Sequence, residues 1–277
     1  MMITQADEGP MAEPLRPGIN DRQQEIINLV RERGYVSIDM LAERFGVSQQ
    51  TVRRDIIFLS EQDLVQRHHG GAGLPPGTDR LAYSNRKIRN AHEKAAIGRA
   101  IAEQIPNGAS LFIDIGTTME SVAEALLGHQ GLRIITNHIG VVSMLCEHTD
   151  FEIILTGGLV RNRDRAITGE ATTEFLRKFR VGFGIFGIGS LTEDGQLLDY
   201  HYRDAQASRA ALEISRVKFV GIDHSKFKTD AMMPFAHVSE IDGIFTDRQP
   251  PAEIAEVIRS SGSTLYVARE TLAAESA

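Results

Sequence analysis

The sequence predicts an α/β protein in two parts, a small helical unit followed by a larger domain built on a mostly parallel sheet. Three observations lead to this prediction. The chain has 277 residues, which is more than one small domain requires. Between residues 20 and 73 the apolar side chains recur at helical spacing. From about residue 93 onward, short apolar runs alternate with helical segments, a pattern typical of a parallel sheet with helices on both faces.

Composition and charge narrow the class of protein. Hydrophobic residues make up 42% of the chain and charged residues 24%, as in ordinary globular proteins. The apolar runs are too short to span a membrane, and we expect neither a membrane contact nor a secretion signal. The net charge of −7 argues against a protein that coats nucleic acid, although a local basic patch can still bind DNA specifically. The apolar neighbours of the single cysteine, Cys146, predict a buried side chain in a reducing cytoplasm.

Composition shifts divide the chain into segments. We expect a tail over 1–19, the helical unit over 20–74, a linker over 75–92, the α/β domain over 93–268 and a second tail over 269–277. The predicted strands of the α/β domain are 110–115, 133–136, 152–155, 181–187, 218–223, 243–246 and 264–268. The predicted helices are 91–104, 119–128, 138–147, 170–178, 204–215 and 252–260.

The helical unit is expected to contain three helices and a β wing. The first helix, in "DRQQEIINLVRERG", carries its apolar residues on one side and stops at Gly34. Ser37 and Ser48 are suited to cap the second and third helices, and Gly46 ends the second. Two short helices joined by such a turn have helix-turn-helix spacing. "LVQRHHGGAGLP" then predicts two short strands around a Gly70-Gly71 turn.

The third helix has an apolar side and a polar side. Val52, Ile56 and Leu59 form a narrow stripe that should face the core. Glutamine and arginine on the opposite side suit adenine, guanine and phosphate. The predicted DNA contacts are Ser48, Gln49, Gln50, Thr51, Arg53 and Arg54 on this helix and Arg67, His68 and His69 on the wing. Because the unit is not basic overall, a protein-interaction module stays open as the alternative. The histidine pair has no ligand partner at metal-site spacing, so we expect no metal.

This N-terminal stretch resembles the DNA-binding domain of DeoR-type bacterial repressors. The resemblance covers "RQQEIINLVRERGYVSIDMLAERFGVSQQTVRRDIIFLSEQDLVQRHHGG" without gaps, and "TVRRD" and "RHHGGA" are its most specific parts. It implies a winged helix-turn-helix that binds double-stranded operator DNA. Since such dimers contact paired half-sites, a homodimer or homotetramer is expected.

In the α/β domain, polar turns follow several predicted strands. "LFIDIGTT" ends a buried strand at Asp114 and continues into Gly116, Thr117 and Thr118, whose N–H groups and hydroxyls can surround an anion at a helix start. Taken alone, this turn is equally consistent with a simple helix cap. Other strands also end in small or polar residues, and parallel strands place such ends at one ligand-binding edge. The predicted effector-binding residues are Asp114, Gly116, Thr117, Thr118, Asn137, Gly157, Gly158, Arg161, Glu170, Asp223 and Lys226. Arginine and lysine suit a phosphoryl group, while asparagine and aspartate suit hydroxyls, which together predict a pocket for a small phosphorylated polyol.

From about Glu93 to Ala268 the chain resembles the sensor half of the same family, whose fold is similar to that of ribose-5-phosphate isomerases and sugar-phosphate deaminases. "AEQIPNGASLFIDIGTT", "TGGLVRNRDRAITGEAT" and "DHSKF" are especially similar to the glycerol-3-phosphate regulon repressors. The resemblance implies sn-glycerol 3-phosphate as the effector. Near "YRDAQASRA" relatives usually have glutamate and then lysine, where this chain has Asp204 and Ser208, which puts effector contacts from that helix in doubt.

We expect no catalytic residues and no cofactor. Isomerases need a base against the sugar carbon, and Asp114, Glu170 and Asp223 do not stand in an acid–lysine pattern of that kind. The resemblance implies instead a repressor whose operator affinity depends on a phosphorylated metabolite. Three alternatives stay open: the same regulator with another sugar phosphate, a sugar-phosphate isomerase, and a DNA-binding protein that ignores effectors.

Overall fold

A computed structural model describes residues 19–33, 35–62, 64–68, 70–73, 79–227 and 231–268. The chain divides into two compact units, Met1–Thr78 and Asp79–Ala277. The boundary falls inside the segment 75–92, for which the sequence predicted a linker. None of the helices described has the length and apolar content that a membrane crossing requires.

The first unit contains three helices and a small antiparallel sheet. Its elements are α1 (Asp21–Arg33), β1 (Tyr35–Ser37), α2 (Ile38–Phe45), α3 (Gln49–Glu61), β2 (Gln66–His68) and β3 (Gly71–Gly73). β2 and β3 form the predicted wing, and β1, which was not predicted, completes the sheet in the order β1-β3-β2. The core is formed by the apolar stripes of the helices, including Ile26, Val30, Leu41, Val52 and Leu59.

Local side chains set the ends of α2 and α3. Ser37 Oγ accepts a hydrogen bond from the Met40 N–H at 3.2 Å, and Ser48 Oγ accepts one from the Thr51 N–H at 3.2 Å. Each bond pairs an N–H group that the helix itself leaves unpaired. Gly46 ends α2 at φ 62°, a left-handed conformation that glycine adopts without strain. These caps create the tight turn that sets α3 against α2.

The second unit is built on a parallel sheet. Its strands are β4 (Ser110–Ile113), β5 (Arg133–Thr136), β6 (Glu152–Leu155), β7 (Leu159–Arg161), β8 (Ala166–Thr168), β9 (Val181–Phe186), β10 (Ser190–Leu191), β11 (Gln196–Asp199), β12 (Ser215–Ile222), β13 (Met233–His237), β14 (Gly243–Thr246) and β15 (Thr264–Val267). Seven of these strands form one parallel sheet in the order β15-β14-β12-β9-β4-β5-β6. The inner strands, such as β4 and β14, are buried on both faces, which explains their uninterrupted apolar sequences, whereas the edge strands β6 and β15 are partly exposed.

Helices cover both faces of this sheet. They are α4 (Asp79–Ile88), α5 (Ala91–Ala102), α6 (Thr117–Ala125), α7 (Ile139–His148), α8 (Glu170–Leu176), α9 (Tyr202–Ile214) and α10 (Ala252–Ser260). On one face, Ile97 and Met119 of α5 and α6 pack with Ile113. On the other face, Ala207 of α9 packs with Phe186. The seven predicted strands and six predicted helices are all present, with ends shifted by a few residues.

Several elements were not predicted. α4 lies within the expected linker, and β7 pairs with β8 as a hairpin. β10, β11 and β13 form a separate antiparallel sheet. These strands are two to five residues long, too short for a clear alternating pattern.

The prediction for Cys146 was wrong, because its side chain is exposed. Helix α7 buries Val141 and Leu145 against the sheet. Cys146 follows Leu145 by one residue, about 100° further round the helix, and so points away from that stripe.

Candidate functional site

Five strand ends meet at the carboxyl edge of the parallel sheet. β6, β5, β4, β9 and β12 are neighbours in the sheet, and all of them except β9 end at predicted effector-binding residues. β4 is followed in sequence by β5 on one side and has β9 on the other, so the strand order reverses between β4 and β9. Ligands of open parallel sheets bind at such a reversal. We call the predicted effector-binding residues, from Asp114 after β4 to Lys226 after β12, the strand-end cluster.

The turn after β4 presents a helix start to the strand-end cluster. Gly116 precedes α6 at φ 121°, a conformation that L side chains rarely adopt. A Cβ placed on Gly116 would meet nothing within 4 Å, so the space beside the turn is open. The first N–H groups of α6 have no partner within the helix, and Thr117 and Thr118 add hydroxyls. This arrangement favours an anion.

Asp114 lies beneath this turn and is almost fully buried. Its carboxylate accepts hydrogen bonds from the Ile115 N–H at 2.8 Å and from Ser208 Oγ at 3.0 Å. Burial raises the pKa of Asp114 well above its ordinary value, and the nearby Asp199 and Asp204 raise it further. Ser208 therefore contacts a predicted site residue, although the sequence left the role of its helix in doubt.

Asp223 and Lys226 lie at the end of β12. Asp223 Oδ1 accepts hydrogen bonds from Ser225 Oγ at 2.6 Å and from Asn90 Nδ2 at 2.8 Å. Burial opposes ionisation of Asp223, but these bonds and the charges of Lys226 and Lys94 outweigh it and lower its pKa. The Lys226 ammonium lies 5.7 Å from the centre of the Tyr200 ring. The end of β12 therefore combines an ionised carboxylate with cations.

Arg161 is held between two carboxylates. Its guanidinium donates to Asp164 at 2.9 and 2.7 Å and to Asp204 at 3.0 and 2.8 Å. These bonds occupy four of the five N–H groups that an arginine offers. The sequence predicted Arg161 as a phosphate ligand, and in this structure its donors serve the neighbouring acids instead. Its role as an effector contact stays a prediction.

Asp199 adds a carboxyl group that titrates near neutrality. It lies at the end of β11, where Oδ1 accepts a hydrogen bond from the Tyr200 N–H at 2.6 Å. Burial raises its pKa to about 7, Asp204 raises it as well, and Arg161 and Lys226 act in the opposite direction. The charge of the strand-end cluster therefore depends on pH in the physiological range.

The remaining predicted effector residues lie around β5, β6 and α8. Asn137 is fully buried and donates from Nδ2 to the Ile167 carbonyl at 3.2 Å. Its Oδ1 is also buried, and no hydrogen-bond donor within the described residues reaches it. The Gly157 carbonyl accepts from Thr172 Oγ1 at 2.9 Å, and Gly158 packs against the same threonine. Glu170 is exposed in the first turn of α8.

Sequence reasoning missed one cation, Lys94, and one side-chain amide, Asn90, that join this cluster. Lys94 and Asn90 lie at the start of α5, and Lys94 is 5% exposed. One signal was available: Lys94, Ile97 and Ile101 are spaced i, i+3 and i+7, so a lysine stands on the apolar face of α5. A lysine on a buried helical face needs partners inside the protein.

Glu93, His224 and Asp247 form a second group of polar side chains, with potential metal-ligating atoms within 4.8 Å of one another. His224 Nδ1 lies 2.8 Å from Asp247 Oδ2, and Arg248 Nε lies 2.9 Å from the same oxygen. Arg248 also approaches Glu93 at 3.8 Å. Because Arg248 already compensates both carboxylates, an ion-pair network accounts for the group without a metal.

On the first unit, α3 presents a polar surface. Gln50, Arg53 and Arg54 are exposed, as predicted, and Ile57 among them is 39% exposed. Gln49 Nε2 donates to Asp39 Oδ1 at 2.6 Å, and Ser48 and Thr51 bond to each other at 3.0 Å. Arg67 and His68 are exposed on β2, whereas His69 lies outside the described residues. We call the exposed side chains of α3 and β2 the recognition surface.

Asp55, the last residue of "TVRRD", lies on the opposite side of α3. It is 5% exposed and accepts hydrogen bonds from Arg22 Nε at 2.7 Å and from Gln23 Nε2 at 2.9 Å. Asp55 therefore fastens α3 to α1 and is not part of the recognition surface. As a result, Arg53 and Arg54, the two residues before Asp55, face the solvent.

The two units match two parts of one family. Residues 22–77 match the DeoR-like helix-turn-helix domain, and residues 89–248 match the DeoR C terminal sensor domain. The glycerol-3-phosphate regulon repressor of Escherichia coli (strain K12) is 48% identical over 237 residues, 86% of this chain and 94% of the relative. That of Haemophilus influenzae is 45% identical, covering 83% and 89%, and the transcriptional repressor CsqR of Escherichia coli is 37% identical, covering 91% and 96%. These relatives are repressors and not enzymes.

Among solved structures, ribose 5-phosphate isomerase A from Methanocaldococcus jannaschii matches 50% of this chain and 55% of its own, with 11% identity and a TM-score of 0.38. That likeness is distant. The family matches, in contrast, cover both units and more than half of the residues. The chain belongs to the DeoR family of helix-turn-helix regulators.

Proposed function

We propose that this protein is a transcriptional repressor that binds double-stranded operator DNA and is released by sn-glycerol 3-phosphate. The observation that carries the proposal is its 48% identity, over 86% of the chain, to a glycerol-3-phosphate regulon repressor. The strand-end cluster supports it independently, because it combines a helix start with the buried ammonium of Lys94, the partly buried Lys226 and side chains that can bind hydroxyls. The protein acts in the cytoplasm as a homodimer or homotetramer, which matches paired operator half-sites.

The chemistry of the strand-end cluster suits both ends of this effector. The phosphoryl group binds at the first turn of α6, where Thr117 and Thr118 donate and Lys226 supplies positive charge. The effector hydroxyls bind Asp223, which is ionised and accepts hydrogen bonds, and the Oδ1 atom of Asn137. A buried acceptor without a donor is costly, and a ligand hydroxyl would satisfy it.

The effector must bind the DNA-competent and incompetent arrangements with different affinity. Coupling of about 1–3 kcal/mol between two sites is typical and changes affinity about 5- to 150-fold. No turnover of the effector is required.

The test is operator binding followed by fluorescence anisotropy at fixed salt, because affinity for DNA varies strongly with salt. Saturating sn-glycerol 3-phosphate should weaken binding, while glycerol and inorganic phosphate should not. Fructose 1-phosphate and ribose 5-phosphate serve as the competing effectors. A response to one of those and not to glycerol 3-phosphate would reassign the effector, and a response to none would contradict control by a phosphorylated metabolite.

A further inference from the structure

The junction between α4 and α5 contacts the strand-end cluster at two points. The Lys94 ammonium donates hydrogen bonds to the carbonyl oxygens of Arg86 and Arg89, at the carboxyl end of α4. Asn90 Nδ2 donates to Asp223 Oδ1 at 2.8 Å. Asn90 itself has φ 54°, a left-handed conformation that asparagine tolerates better than most residues. The end of α4 is therefore attached to two side chains of the cluster.

Lys94 is an unusual helix cap because it is a buried charge. Within the described residues, both of its hydrogen bonds go to neutral carbonyls. Burial lowers the pKa of Lys94 to about 8, although the nearby Asp223 acts against this shift. An ammonium that is desolvated and bound to neutral acceptors forms stronger hydrogen bonds with an anion, since charge-assisted bonds are about twice as strong as neutral ones.

The packing of α5 on α6 places Lys94 beside the predicted phosphate position. α5 leads into the start of β4, and α6 leaves the end of β4, so the two helices run in the same direction. They approach closely at Gly98, where a Cβ would lie 2.5 Å from the Ser121 carbonyl oxygen. Lys94 is one turn before Gly98, and Thr117 is one turn before Ser121. The ammonium therefore lies near the first turn of α6.

The middle of α4 is bonded to α6. Tyr83 Oη donates to Glu120 Oε1 at 2.9 Å, and Lys87 Nζ lies 2.8 Å from Glu120 Oε2. Glu120 follows Thr117 by three residues on α6. α4 thus contacts both the helix whose start is the predicted phosphate position and the lysine beside it.

We propose that Lys94 changes acceptors when the effector binds, leaving the carboxyl-terminal carbonyls of α4 for the phosphoryl oxygens, and that α4 thereby reports occupancy of the site. This inference rests on the proposed function. Without Lys94 the last carbonyls of α4 lose their cap, and the final turn of the helix loosens. In the chain, α4 is the first helix after the DNA-binding unit, since that unit ends at residue 78 and α4 begins at Asp79.

The first experiment uses the unaltered protein. Isothermal titration calorimetry establishes binding of sn-glycerol 3-phosphate, and amide hydrogen exchange is then measured with and without a saturating amount. Exchange at residues 87–90 should become at least about fivefold faster, while residues 96–101 of α5 keep their rate. Binding with unchanged or slower exchange at 87–90 would overturn this inference alone. No heat of binding, with any phosphorylated sugar tested, would overturn the proposed function and this inference with it.

The second experiment compares Lys94→Met with Arg99→Met, which removes the same charge from an exposed position on the same helix. Lys94→Met should bind operator as weakly without effector as the unaltered protein does with it, and saturating effector should change that affinity less than about twofold. Arg99→Met should keep the full response. A Lys94→Met protein that binds effector more weakly but still responds fully at saturation has lost only a ligand contact, which would contradict the switch.

Discussion

Individual residues of the strand-end cluster differ in charge because burial and hydrogen bonding compete differently at each one. Asp223 receives donors from Ser225 and Asn90, so its pKa is lowered despite burial. Asp199 receives one backbone N–H and lies near Asp204, so burial prevails and its pKa rises. The carboxyl group of Asp223 is thus ionised at neutral pH, whereas that of Asp199 titrates near pH 7.

Asp199 should make the stability of the second unit depend on pH. Its pKa rises from 3.8 to about 7, so between these values the folded protein keeps a proton that the unfolded chain has lost. The stabilisation is complete below pH about 4 and is lost as the pH rises toward 7. Asp199→Asn removes this titration and can still accept the Tyr200 hydrogen bond. The melting temperature of Asp199→Asn minus that of the unaltered protein should therefore increase between pH 5 and pH 8, by about 2–4 °C for each kcal/mol gained.

A difference that is flat from pH 5 to pH 8 would contradict the raised pKa of Asp199. Asp150→Asn is the control, because that carboxylate is exposed and its substitution should leave the melting temperature nearly unchanged at every pH.

Lys226→Ala should shift induction to higher effector concentrations and leave operator binding intact. In the proposed site this lysine supplies positive charge for the phosphoryl group, so its loss should weaken effector binding by about tenfold or more, the effect of one charge-assisted hydrogen bond. Calorimetry with sn-glycerol 3-phosphate and anisotropy with operator measure the two properties separately. Lys178→Ala, at an exposed position after α8, is the charge-matched control. A large loss of thermal stability in Lys226→Ala alone would assign this lysine a structural role.

Arg53→Ala should weaken operator binding. The side chain is exposed on the recognition surface, where arginine contacts either a guanine edge or a phosphate. A phosphate contact predicts that the slope of log affinity against log salt falls by about one unit, with similar losses for all DNA sequences. A base contact predicts a loss confined to operator DNA, about 1–3 kcal/mol. Arg216→Ala, exposed at the start of β12, is the control, and unchanged affinity in Arg53→Ala would place this side chain outside the interface.

At the level of elements, α3 and α6 serve similar purposes by different means. Each begins at a defined turn, Ser48 for α3 and Gly116 for α6, which fixes where its first N–H groups lie. α3 is capped by Ser48 and held to α1 through Asp55, which keeps its polar side outward. α6 begins after Gly116, with no side-chain cap, which leaves its first N–H groups available to a ligand.

Asp55→Ala should destabilise the first unit. The substitution leaves Arg22 and Gln23 without their shared acceptor, and losing a partly buried pair of this kind costs about 1–3 kcal/mol. Amide hydrogen exchange in α1 and α3, measured at increasing denaturant concentration, gives the change in the unfolding free energy of this unit. Glu25→Ala is the matched control, because its pair with Arg44 is exposed and worth less than about 1 kcal/mol. Equal effects of the two substitutions would mean that Asp55 does not fasten α3.

At the level of the whole molecule, a DNA-binding unit and an effector-binding unit on one chain are related by thermodynamic linkage. Effector and operator need not touch, but each must change the affinity of the other by the same factor. This reciprocity applies to any route of transmission, including one through α4. It therefore tests regulation itself, whichever residues carry it.

The factor by which saturating sn-glycerol 3-phosphate weakens operator binding should equal the factor by which saturating operator weakens effector binding. We expect both to lie at about 5- to 150-fold. Anisotropy measures the first factor and calorimetry the second, with a scrambled duplex of the same length as the control. Two unequal factors would show that another equilibrium, such as assembly of subunits, contributes, and factors of one would describe a protein that ignores its effector.

The sequence by itself determined the seven strands of the parallel sheet, the helices except α4, and the residues that cap α2 and α3. Caps such as Ser37, Ser48 and Gly46 act on N–H and carbonyl groups a few residues away, so local sequence is sufficient to predict them. The apolar runs of the inner parallel strands likewise reflect burial on both faces. Because parallel strands align their carboxyl ends, the polar residues after them could be predicted to meet before their neighbours in the sheet were known.

Only the tertiary structure decided how the charges of the strand-end cluster are compensated. Arg161 pairs with Asp204, 43 positions away, and Asn90 bonds to Asp223, 133 positions away. Lys94 joins the cluster because α5 packs closely on α6 at Gly98. The free energy of a buried charge depends on the groups within a few ångströms of it, and the fold selects those groups from distant parts of the chain.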